Sequence, residues 1–147
     1  MADPYARNLV NRGFYHTKSD IRTRVVVVLT GTLENRGLEL IKPISRAFPA
    51  GTIIELIGTD EPEAGPGRSV QRIAYLAFVE LLDGGVIVSG DPVTAGGAQL
   101  GTIAGFDDTH MPNHQNTIVR MQTRKSGAEM GLAPGDEILI HGIPQPR

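Results

Sequence analysis

The chain has 147 residues, 40% of them apolar and 20% charged, which is the composition of one ordinary folded domain and leaves no case for wholesale disorder. Fourteen Lys and Arg against sixteen Asp and Glu give a formal charge of -2, without a basic segment interleaved with aromatics, so nucleic acid is excluded as an expected partner. There is no cysteine, which removes disulfides, thiolate catalysis and Cys-based zinc sites, and no stretch approaches the roughly 20 apolar residues that cross a bilayer, so no membrane partner and a cytoplasmic location are expected.

In chain order, residues 1–20 mix charge, Gly and aromatics without a period and read as an N-terminal arm. Tyr5, Phe14 and Tyr15 would anchor it on the body or on a neighbouring subunit. The cations Arg7, Arg12, Lys18, Arg22 and Arg24 are spread too thinly for an anion site and read as a solvated face. Residues 21–147 then make a single domain.

The β-branched run at residues 22–30 predicts a strand buried on both faces in its middle. Residues 38–41 and 52–57 predict two more, the second ended by Gly58 and followed by a mobile, acidic Pro/Gly loop over residues 59–68. Residues 70–82 fit both a helical face and strand alternation. The strand is preferred, because Asp83-Gly84-Gly85 followed by residues 86–89 reads as a hairpin. Further strands are expected at residues 117–123 and 137–140, with at most one, near residues 99–104, inside the long connection 90–116.

Two places share a turn and strand pattern: Phe48-Pro49-Ala50-Gly51-Thr52-Ile53-Ile54 and Leu132-Ala133-Pro134-Gly135-Asp136-Glu137-Ile138. Each follows a segment expected to form one short helical turn, at residues 44–47 and 126–130. Pro and Gly set the turn, Thr or Asp bonds nearby backbone, and an apolar strand follows. The pair resembles the repeated turn of double-psi β-barrels, and that resemblance implies a mainly β fold, a small barrel with one or two short helices and two related halves. The stretch from Lys125 to Gly142 is also similar to the middle of a bacterial PDZ domain, through its Gly-Leu-x-x-Gly-Asp-x-Ile motif. The chain ends at Arg147, so the helix and strand that wall a PDZ peptide groove are expected to be missing.

Chemistry concentrates in residues 105–116, which carry two of the four histidines. His110 and His114 with Asp107 or Asp108 could supply three ligands of a divalent metal such as Zn, with water in the fourth position. The competing reading makes Asp107-Asp108-Thr109 a capped turn and puts the histidines in a subunit contact. The glycines of residues 89–101 match neither a phosphate loop nor a dinucleotide fingerprint. Ser89 lacks a nucleophile elbow, while His16 and His141 stand alone.

The sequence therefore points to a small β-barrel, expected as a homo-oligomer, that binds a small-molecule ligand or a metal through residues 105–116, with Asp91 and Arg120 as supporting ligand-binding groups. It leaves open whether the protein is an enzyme. The alternative is a structural or interaction module in which the same loop and the arm form a subunit interface.

Overall fold

The computed structural model describes residues 19–142. The expected arm, with Tyr5, Phe14, Tyr15, Arg7, Arg12, Lys18 and His16, lies outside the described residues except for its last two positions.

Every regular element among the described residues is a strand. β1 (Ile21–Val28) alternates, with Ile21, Thr23 and Val25 buried and Arg22 and Arg24 exposed. Its middle is therefore not buried on both faces as the Val run suggests. A bulge between Val25 and Val27 against the next strand leaves Val26 and Val27 exposed. β2 (Thr32–Leu33), β3 (Leu38–Glu39) and β4 (Ser45–Phe48) are short. β5 (Ile53–Thr59) and β7 (Ile73–Leu81) are long and largely buried, and β6 (Ser69–Val70) lies between them. β8 (Gly85–Val88), β9 (Pro92–Ala95), β10 (Ala98–Asp107), β11 (Gln115–Arg120) and β12 (Glu137–Ile140) complete the set.

Seven strands run in the order β1-β12-β9-β10-β11-β5-β7, and β7 pairs back onto β1, closing a barrel. All pairs are antiparallel except β11 with β5. Closure satisfies every strand's ladder without leaving long edges. β2 adds to β7, and the ribbons β3-β6 and β4-β8 pack on the wall. The barrel interior holds Ile54, Leu56, Val79, Phe106 and Val119. A second cluster joins Leu38 and Val70 of the β3-β6 ribbon to Ile57, Ile73 and Ile118 of the wall.

Several sequence expectations change. Residues 44–47 form no helical turn: β4 pairs with β8, and this pairing takes residues 85–88 away from β7, so Asp83-Gly84-Gly85 is not the tip of a β7-β8 hairpin. Residues 126–130 do make the single expected turn, with Met130 N donating to Ser126 O at 3.1 Å, but it extends into no helix. There Ser126 N donates to Glu129 Oε1 at 3.0 Å and Glu129 N donates to Ser126 Oγ at 3.2 Å.

The 59–68 stretch is stapled down: Glu61 accepts from the amides of Gln71 and Arg72 at 2.7 Å, and Ala64 is buried. The connection 90–116 contains two strands, since Gly96 and Gly97, both at positive φ, turn β9 into β10. Gly51 and Gly135 do occupy equivalent positive-φ turns, at 88° and 94°, before β5 and β12. Their strands are not equivalent, because β5 has a parallel neighbour and β12 only antiparallel ones. The double-psi arrangement is thus not confirmed.

Candidate metal centre

Glu55 is the one charged residue in the apolar run of β5. Cα partners across a sheet share a face, and Ile54 and Leu56 point into the barrel, so Glu55 projects outward beside its partners Asn116 on β11 and Phe78 on β7. The short connection 108–114 between β10 and β11 folds over this spot and leaves Glu55 only 6% exposed. A buried carboxylate needs a partner.

That partner is His114, whose Nε2 lies 2.8 Å from Glu55 Oε1. Its Nδ1 faces Asn113 Oδ1 at 2.6 Å, and its ring makes a T-shaped contact with Phe78 at 5.0 Å and 78°. Contacts on both nitrogens and with the Phe78 ring hold the imidazole in one orientation. His110, exposed on the same turn, brings its ring to 4.9 Å from that of His114. The turn is closed by Met111 N donating to Asp108 O and by Asn113 N donating to His110 O. One ligand atom each from Glu55, His110 and His114 falls within 4.8 Å of the other two. Tetrahedral ligands at about 2.0–2.1 Å from zinc stand roughly 3.4 Å apart, so a metal would draw the exposed His110 inward and open the 2.8 Å Glu55–His114 hydrogen bond, with His114 Nε2 giving up its proton.

The carboxylates nominated from the sequence are engaged elsewhere. Asp107 is a buried hub: Oδ2 accepts from Glu39 N at 2.9 Å, and Oδ1 from Thr109 N at 2.9 Å and Asn116 Nδ2 at 3.1 Å. Burial pushes its carboxyl up, but the Thr109, Glu39 and Asn116 donors together outweigh that and hold it below the usual range. Asp108 takes Gln115 Nε2 at 2.8 Å and Arg46 at 3.3 Å. Asp91 is buried and accepts from Val88 N at 2.9 Å within the β8-β9 turn. Arg120 lies at the far end of β11. Ser89 donates to Ala104 O, and His141 meets Thr94 Oγ1 at 2.8 Å, both structural contacts.

A groove of about 580 Å³ runs up to His114, lined by Arg46, Phe48, Ile53, Phe78 and Met111. Beside Glu55, the buried Asn116 Oδ1 has no hydrogen-bond partner among the described residues.

The model of a family of unknown function (DUF6917) matches residues 15–141. The chain belongs to that family. The DUF6917 match takes in all twelve strands, together with Glu55, His110 and His114. No curated protein and no solved structure matches the chain. Among the described residues, no helix is long and apolar enough to cross a membrane.

Proposed function

We propose that this DUF6917 barrel binds a divalent transition metal, zinc in the first instance, through Glu55 Oε1, His114 Nε2 and one nitrogen of His110. The observation that carries the reading is the buried Glu55 carboxylate facing His114 Nε2 at 2.8 Å, with the second imidazole tilted beside it at 4.9 Å, so that the three ligand atoms fall within 4.8 Å of one another. Two imidazoles and one carboxylate suit Zn and its neighbours, and three protein ligands leave a position open for water or a ligand from the groove. Asn113 would orient His114 from behind, as outer partners of metal-bound histidines do. Asp107 and Asp108 would act as supports of the turn and not as ligands.

Metal analysis of untagged protein tests this. Near one equivalent of metal is expected, lost in Glu55→Ala and in the His110→Ala, His114→Ala double variant. Wild-type protein without metal, or variants that retain as much as wild type, would sink the proposal. Ile53 and Met111 stand 46% and 41% exposed on the groove, and this favours a second reading, a homo-oligomer contact over the same surface. Under that reading Ile53→Glu and Met111→Glu shift oligomer size in sedimentation and leave metal content alone.

A further inference from the structure

A second cavity, of about 720 Å³, opens at the other end of β11, roughly 20 Å along the strand from His114. Its wall includes Arg120, Thr102 and Lys125 with the apolar Leu100, Met121 and Met130. Among the described arginines, Arg36, Arg68 and Arg120 hold no carboxylate, and of these Arg120 alone lines this cavity. Arg22, Arg24, Arg46, Arg72 and Arg124 each hold a carboxylate. Arg120 is half-buried and yet holds only neutral oxygens: Nη1 donates to Ala64 O at 3.0 Å and Nη2 to Thr102 Oγ1 at 3.3 Å.

Removing a guanidinium from water without a counter-charge is costly. The two neutral acceptors fix its plane and leave its other N–H groups without a partner among the described residues. Asp60 also lines this cavity but is spoken for. Both its oxygens take Arg72, at 3.2 Å each, and that contact holds its carboxyl below the usual range. Lys125 adds a second cation at the rim.

The backbone beside Arg120 is shaped around this point. β10 carries a bulge between Gln99 and Gly101, and a Cβ at Gly101 would run into the Arg120 carbonyl. Such bulges re-aim side chains and gather next to binding sites.

We infer that this cavity binds a small organic anion, with its charged head on Arg120 and Lys125 and a short apolar tail against Leu100, Met121 and Met130. The head is a planar or tetrahedral oxyanion, carboxylate or phosphate ester, since both match the forked donors of Arg. The inference is independent of the metal centre.

Calorimetric titration of the full chain, treated with chelator and held at one ionic strength, tests it with hexanoate, phenyl phosphate and neutral hexanol. Saturable 1:1 binding of at least one anion is expected, and which of the two binds names the head group. Affinity should fall at least tenfold in Arg120→Gln, fall several-fold in Lys125→Glu, and stay unchanged in His110→Ala. Hexanol should bind at least tenfold more weakly than hexanoate if hexanoate is the ligand. Wild-type protein that saturates with neither anion overturns the inference. So does undiminished binding in Lys125→Glu, an exposed change that leaves the fold intact even if Arg120→Gln does not fold.

Discussion

Replacing Asp107 by Ala separates two roles for that carboxylate, metal ligand or hub of the turn that carries the histidines. In the structure its oxygens take three donors. The Asn116 amide, fully buried, would lose its partner at a cost of about 1–3 kcal/mol. The amides of Glu39 and Thr109 lie at exposed residues and can reach water, so each loses only about 0.5–1.5 kcal/mol. The sum is about 2–6 kcal/mol, centred near 4, and for a domain of this size that centre lowers Tm by roughly 10–15 °C. Differential scanning calorimetry measures it.

The pH dependence has a definite sign. The folded carboxyl is held below its ordinary value, so its stabilisation is complete above the unfolded pKa of about 3.9 and is lost as pH falls through the lower folded value. The gap in Tm between wild type and Asp107→Ala should therefore be full at pH 6 and shrink below about pH 4. Metal content measured at saturating zinc should survive the substitution. A Tm change under 2 °C together with complete loss of metal would refute the hub and make Asp107 a ligand.

Asp83 gives a second test: the side-chain hydrogen bonds from Arg22, aided by its amide, lower the carboxyl from 3.8 to about 2. Arg22→Gln should bring its titration, followed by carbon NMR of the carboxyl, back toward 3.8; a midpoint still near 2 would contradict the assignment. By the same sign rule, the pair's contribution to stability is complete above about pH 3.8 and fades as pH approaches about 2. Gly127→Ala places a Cβ inside contact with the Leu76 backbone carbonyl, which already accepts Leu29 N at 3.1 Å. With backbone on both sides the cost should reach about 1–3 kcal/mol, read as a lower urea midpoint at unchanged m-value; an unshifted midpoint would show that the capped turn floats free of β7.

The strands that could be read from the sequence are those whose apolar content exceeds any other use for them. β5 and β12 fall where their β-branched runs lie, and β7 is a strand although its pattern also fits a helical face. Partners were less legible. Val86, Ile87 and Val88 look like the return of a hairpin, and nothing local says that they pair with Ser45–Phe48, forty residues earlier. Gly96-Gly97 is an ordinary hairpin turn, yet the small polar residues around it mask β9 and the start of β10, whose edges earn their burial from neighbours alone. At the candidate site, clustering in a His-poor chain pointed to His110 and His114. It also drew attention to Asp107 and Asp108 because they are adjacent, whereas Glu55 is 55 positions from His110 in sequence. Its signal was available: a lone carboxylate in the middle of Ile53-Ile54-Glu55-Leu56-Ile57 is costly on a buried strand unless something meets it.

What lets Glu55 meet His114 is register. In the parallel β11-β5 pair, Gln115 opposes Ile54 and Asn116 opposes Glu55, so the residue just before β11 stands over the carboxylate. A slip of one residue would turn Glu55 into the barrel and Ile54 onto the surface. That slip is opposed by Ile54, Leu56 and Val119, which fill the interior with Phe106. The placement of the candidate ligand Glu55 is therefore set by apolar side chains on the opposite face of the sheet. Shortening one of them would weaken the proposed metal site through the angle and depth at which β5 presents Glu55, while leaving every proposed ligand in the chain.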